Sequence, residues 1–217
     1  METDKLGNQA LLFAVDHLPP FGTRIVRIKA VVGFAPKVPP TAVLGPEDAE
    51  RFLRPDRLIE ADDSRICELA VNLRSEGDPL ETSRRAFDWV VRHVRKSGYS
   101  AQEKGARAAL EAGQGDCSEM ALLFVALCRS AEIPARYVSG WVVKKNSILN
   151  PHGFHNWAEF HVAGAWRVAD CSTGEFAENE TTFLAVRIGT REASRKFRGF
   201  YRFELQGAGL KASMNRD

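Results

Sequence analysis

The amino-acid sequence predicts an α+β fold, with helices in its first half packed on an antiparallel sheet built from its second. Three observations carry that reading: apolar residues at helical spacing between residues 62 and 98, one central segment that is apolar on nearly every side, and three β-like runs after residue 134. At 217 residues the chain is long enough for one substantial core with a smaller appendage. The expected division is a β-rich extension over residues 1–50 and a main domain over residues 51–217.

The stretch "FGTRIVRIKAVVGF", residues 21 to 34, mixes apolar and basic residues around Ile25, Arg27 and Lys29 like a strand with one wet face, and "APKVPP" breaks it. Asp62 or Asp63 then caps a helix carrying Ile66, Leu69, Ala70 and Leu73, expected to end near Gly77. A second helix starts at Asp78 and Pro79, with Glu81 in its first turn. Ala86, Trp89, Val90, Val91 and Val94 form its buried stripe, and Gly98 is its expected stop.

The central segment is "GQGDCSEMALLFVALCRS", Gly113 to Ser130. Asp116 is an N-cap candidate, Glu119 completes a capping-box pattern, and Met120 to Cys128 is apolar on nearly all sides, as in a helix at the middle of a domain. Ile133-Pro134 closes it. The β-like runs follow: "ARYVSGWVV" at 135 to 143, "FHNWAEFHV" at 154 to 162 and "AWRVADCS" at 165 to 172, the last two reading as a hairpin with Ala163-Gly164 at the turn. The tail after Gly207 is expected to be loose.

Composition narrows the partners. Charge is nearly balanced, 30 basic against 28 acidic residues, so no global field draws in nucleic acid or an anionic membrane, and neither partner is expected. The apolar run from Ala10 to Val15 is too short for a secretory signal, and no apolar stretch reaches the roughly 18 residues of a membrane span, so a cytoplasmic location is expected. Cys67, Cys117, Cys128 and Cys171 are widely spaced with no C-x-x-C pair, which fits reduced thiols. The basic run Arg187, Arg191, Arg195, Lys196, Arg198 and Arg202 reads as a solvated face.

Cys117 would be the first residue of its helix, where unsatisfied backbone N–H groups and the positive end of the macrodipole favour an anion such as a thiolate. A nucleophilic cysteine needs a base, and the base an orienting group. With a two-residue turn at Ala163-Gly164, His155 opposes Ser172, so His155 and Asp170 project from one face as diagonal neighbours, within reach of each other. That geometry permits a Cys117–His155–Asp170 triad. His152 is the rival base, and Asn156 or Glu159 would hold the histidine if Asp170 does not. His161, beside the turn, is expected at the surface. The backbone N–H of Cys117 is one expected oxyanion donor, with Gln114 in the turn a candidate for the second. Trp157 and Trp166 are expected to wall a substrate cleft and the core. A zinc site from Cys117, His152, His155 and Cys171 is the competing reading of the same residues, disfavoured by their spacing; no cofactor or metal is expected.

"GDCSEMALLFVALCRSAEIPARYVSGW", then "HNWAEF", then "AWRVADCS" together resemble the core of the transglutaminase-like superfamily, whose pattern is G-x-C before an apolar helix ending G-I-P-A-R, then H-x-W-x-E, then W-x-x-x-D. "FLRPDRLIEADDSRICELA" and "AFDWVVRHVRKSGYS" resemble the segments that precede that core in bacterial and archaeal members. The resemblance implies a papain-like fold with nucleophile Cys117, base His155 and orienting Asp170. It also makes Tyr99, where the family often carries an aromatic, an oxyanion candidate. Two positions depart from the pattern: Cys171 follows Asp170 where proline is frequent, and Glu132 stands where glycine is common. The implied activity is acyl transfer on a peptide or protein amide through a thioester, with hydrolysis expected over transamidation or amide synthesis. A non-catalytic peptide-binding module is the alternative from another class.

Overall fold

The structure, a computed structural model, describes residues 44–100, 103–144 and 153–190, Pro20, and the backbone of strand residues 2–3, 9–10, 148–149, 202–206 and 211–215. In chain order the elements are β1 (Glu2–Thr3), β2 (Gln9–Ala10), α1 (Pro46–Arg51), α2 (Ser64–Leu73), α3 (Pro79–His93), β3 (Arg95–Lys96), α4 (Ala106–Ala112), β4 (Gln114–Gly115), α5 (Cys117–Ser130) and β5 (Ala135–Val142). β6 (Ile148–Leu149), β7 (Phe154–Val162), β8 (Ala165–Asp170), β9 (Glu175–Phe176), a 3₁₀ turn (Glu180–Thr182), β10 (Phe183–Ile188), β11 (Arg202–Gln206) and β12 (Lys211–Asn215) complete the chain. The strand expected over residues 21 to 34 lies outside the described residues, as does His152. No helix among the described residues is long and apolar enough to cross a membrane.

The chain gathers into two units. One comprises residues 37–138 and 156–180, the other residues 1–36, 139–155 and 181–217. In the larger unit, α5 is the centre, buried from Ser118 to Cys128 and packed against α2, α3, α4 and β8. An all-round apolar helix has no solvent face to offer, so its neighbours must enclose it. Aromatic rings join it to the sheet: Phe124 meets Phe160 of β7 at 5.8 Å, and Phe87 of α3 meets Phe176 of β9 at 5.1 Å. Cys128 and Cys171 lie in this core, and burial pushes the Cys128 thiol up to about 12 and raises that of Cys171 as well. Cys171 is thereby accounted for as a small packing residue.

Within the smaller unit, β6 and β12 flank β11, while Arg187 donates to Ser139 Oγ at 2.8 Å and the Trp141 ring meets Phe154 edge-on at 4.9 Å. Arg187 is buried, which removes it from the solvated basic face expected of that run.

The helices start as expected and stop earlier. Asp63 caps α2 by accepting from Arg65 N, and Asp78 caps α3 by accepting from Glu81 N. But α2 ends at Leu73, where Arg74 turns extended, and α3 ends at His93, before Gly98. The reason for the second stop is tertiary: Arg95 and Lys96 leave the helix to pair in parallel with Gln114 and Gly115. α4 is started from a distance, the Glu60 carboxylate accepting from Ala106 N at 2.9 Å and Arg107 N at 3.2 Å. The β7–β8 hairpin has the register that a two-residue turn dictates, from Val162 opposite Ala165 to Ala158 opposite Ala169, with Ala163 and Gly164 both at positive φ.

Beyond the C-cap of α5, Glu132 sits at φ 65°, the left-handed region that favours glycine. Its carboxylate pairs with Arg74 at the surface, a contact worth less than the backbone strain. Glu132→Gly is expected to stabilise the protein by about 0.5–1 kcal/mol, raising the thermal midpoint by about 2 °C. Calorimetry showing an equal or lower midpoint would contradict that assignment of strain.

Candidate active site

Two glycines and two carboxyls build the entry to α5. Gly113 ends α4 in the left-handed conformation, with φ 57°. Gly115 must be glycine for a different reason: a Cβ there would stand 2.5 Å from Glu119 Cβ. Asp116 Oδ1 accepts from Ser118 N at 2.7 Å, and Glu119 Oε2 accepts from Asp116 N at 3.1 Å, the reciprocal capping box. Each carboxyl uses its second oxygen on a neighbouring strap. Ser100 N donates to Asp116 Oδ2 at 2.9 Å and Lys104 N to Glu119 Oε1 at 3.0 Å, while Ser97 N donates to Gly115 O at 2.8 Å.

Both carboxyls are buried, and they respond in opposite directions. Burial alone would raise Asp116, but the N–H groups of Ser100 and Ser118 and the Glu119 side chain outweigh it and hold the group below the usual carboxylate value. Glu119 goes up, through burial first and then the hydrogen bond and charge of Asp116, against the lowering effect of two N–H donors. The pair therefore keeps its negative charge on Asp116 and its affinity for a proton on Glu119.

Cys117 occupies the first position of this helix, half-buried, while Cys128 and Cys171 are enclosed. Next to it stands Asn156 of β7, whose Nδ2 donates to Ser118 Oγ at 2.9 Å and lies 3.8 Å from Cys117 Sγ. Sequence reasoning considered Asn156 only as a holder of the histidine. Its alternation with Trp157 on β7 puts it on the face that carries Ala158 and Phe160 toward the helix, but names no partner across from it.

Asp170 ends β8 with only 1% of its surface exposed, and its Oδ1 accepts from Ser172 N at 3.1 Å, Ser172 Oγ at 3.0 Å and Thr173 N at 3.3 Å. His155 is the second residue of β7 and half-buried. Gln114 is exposed, its Oε1 accepting from Arg95 at 2.9 Å, and Tyr99 is 75% exposed. Trp157, expected to line a cleft, is fully buried and donates from Nε1 to Glu159 Oε1 at 3.4 Å. Glu159 in turn accepts from Arg136 Nε at 2.7 Å, and the Arg136 guanidinium stands 4.0 Å above the Trp166 ring. His161 is half-buried beside Trp166, and burial followed by the Arg136 charge lowers its pKa, which favours a neutral ring.

A sequence model of the transglutaminase-like superfamily matches residues 68–171, which hold Cys117, His155 and Asp170. No curated protein matches the sequence. Among solved structures, the chain is similar to that of a candidate cysteine protease from Cytophaga hutchinsonii, 22% identical with a TM-score of 0.58, over 78% of this chain and 63% of that one. That likeness is one of fold, and this chain spans less than two thirds of the structure it matches. The periplasmic domain of TgpA from Pseudomonas aeruginosa is 21% identical with a TM-score of 0.48, over 60% of this chain and 48% of that one.

The opposed shifts of the capping carboxyls give a test in pH. Asp116, lowered on folding, contributes stability that is present above its unfolded value and lost as pH falls through its folded one. Glu119, raised on folding, contributes stability below its unfolded value that is lost as pH rises through its folded one. Asp116→Ala removes two hydrogen bonds, one of them the helix cap, so it is expected to cost about 2 kcal/mol at pH 7 by urea unfolding. The deficit should shrink as the pH drops below about 4. A deficit independent of pH would mean that the carboxylate is not what holds the helix start.

Proposed function

We propose that the protein, whose residues 68–171 match a model of the transglutaminase-like superfamily, is a cysteine-dependent enzyme in which Cys117 attacks the carbonyl of a peptide or protein amide. The observation that carries this reading is the thiol's position: a half-buried sulfur at the first residue of a capped, rigid helix, where backbone N–H groups favour negative charge. His155 is the proposed base. It takes the thiol proton and returns it to the leaving amine, and Asp170 orients its ring. Water then releases the acyl group from sulfur. Hydrolysis is favoured over transamidation because water needs no site of its own, whereas an acceptor amine does.

Alkylation provides the first test. At pH 6, iodoacetamide should modify Cys117 faster than it modifies a model thiol, and an equal or slower rate would sink the activated-thiolate reading. Asp170→Asn is expected to leave thermal unfolding intact and to lower kcat by about 10²–10⁴, because the amide can hold the wrong histidine tautomer. Cys117→Ser should lose on the order of 10³ or more. When a primary amine is supplied with the acyl donor, mass spectrometry should find the free acid as the main product. Amide as the main product would replace hydrolysis with transamidation.

A further inference from the structure

We propose that the Asn156 side-chain amide is the second donor to the oxyanion formed at Cys117, the place that sequence reasoning assigned to Gln114 or Tyr99. The juxtaposition is direct. Nδ2 lies 3.8 Å from Sγ while the same nitrogen donates to Ser118 Oγ at 2.9 Å, so a residue of α5 itself fixes the amide beside the nucleophile. Gln114 and Tyr99 are both exposed, with nothing among the described residues to fix a donor beside the sulfur.

Three physical arguments support the role. First, the amide nitrogen is the atom that faces the sulfur, and it can donate to an oxyanion formed there, as an oxygen could not. Secondly, Asn156 is 8% exposed and its Oδ1 is buried with no hydrogen-bond partner among the described residues. Burying a polar oxygen without a partner costs stability, so the position is not explained by folding alone. Thirdly, the spacing suits the chemistry. When Sγ adds to a carbonyl carbon, the C=O π pair moves to oxygen, which comes to lie about one bond angle away from the sulfur. A donor just outside van der Waals contact with Sγ can then reach that oxygen, as the N–H of Cys117 does from the helix terminus. Collapse returns the pair to the C=O bond and expels the leaving group, so the donor is needed only while the oxygen is charged.

This role rests on the acyl-transfer reading, and the test separates the two. With the full chain, acylation by p-nitrophenyl acetate passes through the oxyanion and releases p-nitrophenolate. Alkylation by iodoacetamide displaces iodide at an sp³ carbon and forms no oxyanion. Asn156→Ala is expected to slow acylation of Cys117 about 10²-fold while changing its alkylation less than about threefold. Ser118→Ala, which frees the amide without deleting it, should slow acylation about tenfold with alkylation again unchanged. It decides the matter if Asn156→Ala does not give a cooperative melt. Acylation at the wild-type rate in the folded variants would overturn the Asn156 role, as would acylation and alkylation falling together. If the unaltered protein is alkylated but never acylated at Cys117, the acyl-transfer reading itself fails.

Discussion

Four backbone N–H groups held by two buried carboxyls fix the start of α5, and the candidate site depends on that start. Asp116 takes Ser118 and Ser100, and Glu119 takes Asp116 and Lys104. Two of these donors belong to the helix entry and two to the strap that follows β3. One cluster therefore sets both the direction of the helix and the path of the chain beside it. Placing carboxyls out of water is unfavourable, and full use of their oxygens offsets that cost. The short approach at Gly115 follows from the same cluster, since any side chain there would strike Glu119. Cys117 is next in line, and its position inherits this rigidity.

A second constraint sets the sheet. Arg136 binds the Glu159 carboxylate and stacks on Trp166, while Trp157 donates to the same carboxylate. These four residues come from three sequence motifs, and none of them carries the proposed chemistry. Their work is to bind β5, β7 and β8 into one face through a half-buried ion pair and a cation–π contact. The buried thiols of Cys128 and Cys171, raised by burial, stay neutral packing groups, which leaves Cys117 as the thiol of the core segment that solvent reaches.

Much of this was legible in the sequence because local chemistry decided it. Asp63, Asp78 and Asp116 cap the helices they were expected to cap, and the turn at Ala163-Gly164 sets the hairpin register. What was not legible was decided at a distance. α4 begins where Glu60, 46 residues earlier, supplies its cap acceptor, and α3 ends early because its next residues pair with β4. Arg187 read as one more surface cation, yet it is buried on Ser139. Trp157 read as a cleft wall, whereas it is buried and its indole donates to Glu159. Why glycine suits the position before Ile133 is a matter of backbone conformation, since Glu132 there has positive φ. Asn156 was invisible as a neighbour of the thiol because a strand's alternation shows which face a residue takes, not what lies across from it.

If Cys117 carries the acyl group, an acid quench during turnover of an activated ester followed by peptide mass mapping finds it there. That role for Cys117 predicts a transient acyl adduct on it that decays with the steady-state rate, and no adduct on Cys67, Cys128 or Cys171. Product accumulating while Cys117 stays unmodified at every time point would contradict it.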